Sequence, residues 1–183
     1  MQKRLILSGP RLGIMLQRLC HQLIEAHHNF SGSVLMGLQP RGVLLAGRIQ
    51  QELQTILGKE IPLGLLDITF FRDDFRRHNA PLAANATKVP FLVEDKRVVL
   101  IDDVLYTGRS VRAALDAMSA FGRPARVELL SLIDRKYTRE LPIEATYTGL
   151  QVNTLETEKV LVEWQSHGAE ADAVWLVDKK NAN

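Results

Sequence analysis

Apolar positions along this chain change period several times, and each change marks an element. Between Pro10 and His27, Leu16, Leu19, Leu23 and Ile24 recur at helical spacing, which predicts an opening amphipathic helix. Val34–Leu38 is a short apolar run, and the turn Gln39-Pro40-Arg41-Gly42 leads into a helical pattern from Val43 to about Leu57. Ile61–Thr69 is strand-like. From Phe70 to Glu94 the period is lost among charges, Asn79, Pro81 and Pro90. A polar stretch of that length inside a compact domain is expected to be a functional lid or a disordered segment. Periodicity returns with a strand at 97–102, a helix at 108–121 and a strand at 126–133. Short strand-like pieces follow at Thr146–Gly149, Val160–Glu163 and Val174–Val177. Strands alternating with helices predict an α/β fold, a mostly parallel twisted sheet flanked by helices on both faces. The reading is of one domain over residues 1–183, with a lid at about 70–95.

Composition changes this picture little. A chain of 183 residues with 46% hydrophobic residues can bury a sizeable core. A formal charge of +2 is too small to argue for nonspecific nucleic-acid binding. The single cysteine, Cys20, rules out an internal disulfide and suits a reducing compartment. It lies among Leu16, Leu19, Leu23 and Ile24, which reads as a small core residue rather than a nucleophile. The apolar run Leu5–Leu7 is too short for a secretory segment, so a cytoplasmic location is expected.

The candidate chemistry is concentrated in Arg97–Ser110, R-V-V-L-I-D-D-V-L-Y-T-G-R-S. Val98–Ile101 is continuous apolar sequence, the pattern of a strand buried on both faces of a parallel sheet. Asp102 and Asp103 then fall at the carboxyl end of that strand, where open α/β sheets bind ligands. Tyr106, Thr107, Gly108, Arg109 and Ser110 form a short loop that opens the next helix. Hydroxyls, a glycine and backbone amides at a helix amino terminus make an anion site. Two acids followed by a phosphate cradle suit a phosphorylated sugar. An ordinary buried strand with a Thr-Gly turn would be the plainer account of the same residues.

This stretch resembles the 5-phosphoribosyl-1-pyrophosphate (PRPP) signature of the type I phosphoribosyltransferases. L-M-G-L-Q-P-R-G-V (Leu35–Val43) looks like the diphosphate-binding loop of that superfamily, with Arg41 and Gly42 at its tip. Together with L-D-I-T-F-F-R-D-D-F (Leu66–Phe75) and L-I-D-R-K-Y-T-R-E-L-P-I (Leu132–Ile143), these segments resemble the PyrR family. Its members are pyrimidine-operon attenuation proteins that are also uracil phosphoribosyltransferases. The resemblance runs from about Leu16 to Val177. It implies the type I fold and the conversion of uracil and PRPP to UMP and diphosphate with Mg²⁺. It also implies a homodimer or tetramer.

On the residues of this chain, Asp102 and Asp103 would hold ribose hydroxyls and, through water, the metal, since Mg²⁺ keeps several waters. Arg41 and the amides near Gly42 would neutralise the diphosphate. The loop from Tyr106 to Ser110 would hold the 5′-phosphate. Arg72, at the lid root beside Asp73 and Asp74, would approach the diphosphate. Uracil would lie against Ile133, Asp134 and Arg135, although a cap on the turn after strand 126–133 suits Asp134 slightly better. Purine salvage enzymes of the superfamily carry an aspartate before the Thr-Gly. Here that residue is Tyr106, neutral at its ordinary pKa near 10, which disfavours a purine.

PyrR proteins bind mRNA on a basic face, and Arg18, His21 and Arg139 stand where that face is expected. The chain departs from the family there. Glu144 and Leu150 replace cations, and Gln17 replaces a hydroxyl residue. Two lost cations and a gained anion oppose phosphate contacts. The resemblance therefore transfers the enzyme more securely than the regulator. A nucleotide-sensing mRNA-binding attenuator with little catalysis, and a phosphoribosyltransferase for another base, are the competing readings.

Overall fold

The computed structural model describes residues 3–73 and 85–179; residues 74–84, which include Asp74 and the middle of the expected lid, lie outside them. Five strands form one parallel sheet: β2 (Ser33–Leu38), β3 (Leu63–Leu66), β4 (Arg97–Leu105), β5 (Arg126–Lys136) and β6 (Tyr147–Asn153). Their order is β3-β2-β4-β5-β6, and every neighbouring pair is parallel. Helices α1 (Gly9–His27) and α2 (Gly42–Leu57) cover one face, while α3 (Arg109–Met118) covers the other.

The apolar runs explain this two-sided burial. On β4, Val99 and Ile101 join the core under α1 and α2, and Val98 and Leu100 join the core under α3. Side chains alternate across a strand, so a run apolar at every position has no face left for solvent. Leu19, Leu23, Ile49 and Leu53 of the helices are fully buried, each contributing about 1.5–3 kcal/mol of transfer free energy. Cys20 is buried with them, its thiol pushed up to about 12 by burial and then by the charge of Glu52.

A second sheet was not expected. β1 (Lys3–Ser8), β7 (Glu158–Glu163) and β8 (Ala173–Asp178) pair antiparallel in the order β1-β8-β7. Leu5–Leu7, read only as too short a secretory segment, is part of its first strand. Other boundaries also move. β5 continues to Lys136 because its ladder with β6 runs to the pair Lys136–Asn153, so Asp134 and Arg135 are strand residues and not turn residues. β3 is confined to Leu63–Leu66, since Asp67 turns back to accept from the backbone N–H and the hydroxyl of Thr69. The helix expected over 108–121 ends at Met118 and finishes in a 3₁₀ turn, Ser119–Phe121.

Beyond residue 84, the segment expected to belong to the lid is anchored to the sheet edge. Lys88 pairs with Leu65, Gln39 Nε2 donates to the Ala86 carbonyl at 2.8 Å, and Val93 is fully buried.

Candidate active site

The strand order reverses direction at β2, with β3 on one side and β4 on the other. Ligands of open α/β sheets bind outside the carboxyl ends of the strands at such a point, and the sequence-predicted residues converge there. A cleft of 340 Å³ is lined by Arg41, Arg72, Asp102, Asp103, Tyr106 and Ser110, among others. A second cleft of 280 Å³ adjoins it over Thr107, Gly108 and Arg109, sharing Asp102, Tyr106 and Ser110.

Gly42 lets the two walls of the cleft meet. A Cβ there would lie 2.4 Å from the Ile101 carbonyl oxygen and 3.1 Å from Asp102 Cα. Only glycine allows the β2–α2 turn to lie against the end of β4, which carries Arg41 toward the acids.

Asp103 is buried, and Asp102 is half-buried with its Oδ1 accepting from the Asp103 backbone N–H at 2.9 Å. Burial and then the neighbouring Asp103 charge raise the Asp102 carboxyl well above its ordinary range, against the opposing pull of that N–H and of Arg41. Burial also raises Asp103, with the Arg41 charge opposing it. Desolvated carboxylates of this kind favour a cation or hydroxyl donors at the open side. Among the described residues no group of three or more His, Cys, Asp or Glu side chains could hold a metal. Two carboxylates fit Mg²⁺ that takes its remaining ligands from water and a diphosphate.

The Tyr106–Ser110 loop has Gly108 at φ 90°, at the cap of α3. The loop is backed by the Thr138–Ile143 segment: the amides of Glu140 and Leu141 donate to the Thr107 carbonyl at 3.0 and 3.2 Å. A Cβ on Gly108 would stand 3.3 Å from Ile143 Cβ. Ser110 faces both clefts. Arg109 keeps its backbone in the loop, but its guanidinium pairs with Glu140 at 2.5 Å and with Asp73. Asp73 also lies 3.7 Å from Arg112, so the chain just after Arg72 is tied to the first turn of α3.

Of the residues expected at the base, only Arg135 lines the cleft. It stacks over the Tyr106 ring at 3.9 Å and donates to Thr154 Oγ1, the Leu155 carbonyl and the Glu158 carbonyl. Ile133 is fully buried in the core, and its carbonyl accepts from the Ser131 hydroxyl. Asp134 is buried and pairs with Arg139. Lys159 and Val160 of β7 complete the cleft and were not singled out from sequence. Their only signal was the alternation of one short strand, which does not reveal where that strand packs.

On the expected RNA face, His21 is exposed, whereas Arg18 donates to the carbonyls of Thr148 and Gly149 at 3.2 and 2.6 Å. Arg139 turns inward. Glu144 is exposed, and Leu150 packs against the core.

The phosphoribosyl transferase domain family matches residues 4–167. A bifunctional protein PyrR from Desulfosudis oleivorans is 45% identical over 163 residues, covering 88% of this chain and 90% of its own. The chain belongs to the PyrR family of type I phosphoribosyltransferases. Another bifunctional protein PyrR, from Elusimicrobium minutum, is 40% identical over 179 residues and covers 98% of this chain and 99% of its own. Among solved structures, a hypoxanthine phosphoribosyltransferase of Trypanosoma cruzi superposes with a TM-score of 0.72 at 10% identity, covering 96% of each chain. One from Staphylococcus aureus gives 0.69 at 14%, covering 93% of this chain and 90% of its own. Likeness at such identities concerns the fold alone. This PyrR-family chain therefore presents a buried and a half-buried acid, Arg41 and a glycine-capped helix on two adjoining clefts. Among the described residues, no helix is long and apolar enough to cross a membrane.

Proposed function

We propose that this chain transfers the phosphoribosyl group of PRPP to uracil. N1 of the base bonds to the anomeric carbon, the carbon–oxygen bond to diphosphate breaks, and the N1 proton leaves. The single observation that carries this reading is the convergence of Arg41, Asp102, Asp103 and the Tyr106–Ser110 loop on two adjoining clefts that share Asp102, Tyr106 and Ser110. Arg41 and the amides beside Gly42 bind the leaving diphosphate and stabilise its growing charge. Asp102 and Asp103 orient the ribose hydroxyls and offset the positive charge that develops on the sugar. Asp102 and Asp103 would hold Mg²⁺ through water, and the ion would supply further neutralisation of the diphosphate. Thr107, Gly108 and Ser110 receive the 5′-phosphate at the α3 amino terminus. Arg72 lines both clefts, suited to the diphosphate. Arg135, stacked on Tyr106, forms the side of the base site, and Lys159 and Val160 line the same cleft.

The test is diphosphate release with PRPP and Mg²⁺ against uracil, orotate, hypoxanthine, guanine and adenine. Release with uracil alone is the expected result; release with a purine overturns the base assignment. Uracil turnover by a dimer or tetramer is the setting that the resemblance implies.

For the regulator reading, the inward Arg139, the core contact of Leu150 and the exposed anion Glu144 all weaken the expected basic face. Affinity for a stem-loop RNA is expected to be weak and to show a shallow salt slope. A slope as steep as several phosphate contacts require would restore that reading.

A further inference from the structure

We infer that Arg139 is a positioning residue for the phosphate loop: its guanidinium ties Tyr106 to the ends of β4 and β5, and this aims the loop amides at the 5′-phosphate. The inference rests on the reading of residues 106–110 as the phosphate site. Arg139 Nε donates to the Ile143 carbonyl at 3.0 Å, and Nη1 reaches the carbonyls of Tyr106, Arg135 at 3.4 Å and Leu105 at 3.5 Å. Nη2 pairs with the buried Asp134 carboxylate. One planar fork thus gathers two strand ends and the following turn. Lysine cannot reproduce this, having a point charge and three donors on a flexible stem.

The neighbouring contacts pull in the same direction. Thr138 Oγ1 donates to the carbonyls of Tyr106 at 3.3 Å and Arg135 at 2.9 Å. The Thr107 carbonyl accepts from Glu140 and Leu141. In a trans peptide the C=O and the following N–H point in opposite directions. Holding the Tyr106 and Thr107 carbonyls toward 138–141 therefore turns the N–H groups of Thr107 and Gly108 the other way, where these residues line the cleft. The family resemblance gives this arginine to RNA. Here its donors are directed into the protein, toward a buried acid and a set of main-chain carbonyls.

The experiment measures calorimetric affinities of the full chain for ribose 5-phosphate and, separately, for diphosphate. Arg139→Lys is expected to weaken ribose 5-phosphate about tenfold, the loss of roughly one charged hydrogen bond. Diphosphate, held at Arg41, should change less than about twofold on the same scale. KM for PRPP rises more than kcat falls. Asp134→Asn, which keeps the shape but removes the anionic partner, should show the same ligand bias to a smaller degree. It serves as the deciding variant if Arg139→Lys does not fold. Equal weakening of both ligands, or a lower Tm with unchanged ribose 5-phosphate affinity, overturns the inference. Ser110→Ala separates the two levels. If it weakens ribose 5-phosphate while Arg139→Lys and Asp134→Asn do not, the positioning role alone fails. If none of the three does, the phosphate-site reading fails with it.

Discussion

Buried carboxylates stand at both ends of the parallel sheet, in opposite surroundings. At the amino end, Glu128 lies 3.2 Å from His27 Nε2, 3.3 Å from Arg97 and 3.4 Å from Arg126, and accepts from the Tyr147 hydroxyl at 3.3 Å. His27 Nδ1 lies 2.8 Å from Ser33 Oγ. That cluster closes on itself: with His27 neutral, an N–H toward Glu128 leaves Nδ1 to accept from the Ser33 hydroxyl. At the carboxyl end, Asp102 and Asp103 sit side by side with raised pKa values, and Arg41 only partly opposes the rise. One end completes its charges within the chain and so serves stability. The other holds two desolvated carboxyl groups that resist ionisation over a cleft, a cost of folding that a cationic or hydroxyl-bearing ligand can repay.

The largest expected effect tests the incomplete end. Asp103→Asn should lower kcat/KM by on the order of 10³-fold, the scale of losing a preorganised electrostatic group. The fold should remain. Folding raises the Asp102 and Asp103 pKa values, so their stabilising contribution exists at acid pH and is lost as pH rises through the folded values. The variant should therefore melt no lower than the parent at neutral pH. Full activity in Asp103→Asn would break the PRPP assignment. Glu128→Ala is the counterpart at the complete end, leaving Arg97 and Arg126 without their buried partner. It should cost about 3 kcal/mol of unfolding free energy in urea while kcat in the surviving folded protein stays near normal. A loss of kcat without a loss of stability would erase the distinction between the two ends.

Gly42→Ala acts on geometry at the incomplete end alone. The added Cβ meets the Ile101 carbonyl, which is backbone and cannot swing aside, so the β2–α2 turn must shift away from Asp102. An overpacking cost of about 1–3 kcal/mol is expected, read as a KM for PRPP raised roughly tenfold or more. An unchanged KM would mean that Arg41 need not sit against β4.

The two ends were not equally legible in the sequence. Val98–Ile101 announced a strand buried on both sides, the acids and the Thr107-Gly108 loop follow it directly, and the turn at Arg41-Gly42 closes an earlier apolar run. These features are local, so spacing along the chain carries them. The β1-β8-β7 sheet joins Lys3 to Val177 and Ala173 to Glu163, and no local period encodes such pairing. Lys159 and Val160 reach the cleft through that sheet and were missed with it. Arg139 and Asp134 were misplaced for a related reason: an arginine in a charged, exposed-looking segment becomes internal only once β5 runs on to Lys136. The Glu128 cluster was invisible because its members come from α1, β2, β4, β5 and β6, each supplying one or two polar residues at an element end.

His27 supplies the smallest and most diagnostic test. Burial, and then the charge of Arg97, lower its pKa below the ordinary 6.5, despite the favourable charge of Glu128; Arg126 and His28 add to the lowering. The folded protein thus keeps the imidazole neutral under conditions where the unfolded chain protonates it. More protons bind to the unfolded state, so stability is fully present above about pH 6.5 and falls as the pH drops below it. The slope is at most about 1.4 kcal/mol per pH unit for one such proton. Asp102 and Asp103 act with the opposite sign, gaining protons on folding, so the parent protein shows only the difference between the two ends. Melting temperatures of the parent and His27→Gln, measured from pH 8 to pH 5, separate the terms. In His27→Gln the acid-side decline should flatten, leaving the carboxylate contribution exposed. An unaltered decline would assign the acid sensitivity to groups outside the Glu128 cluster and leave that cluster indifferent to pH.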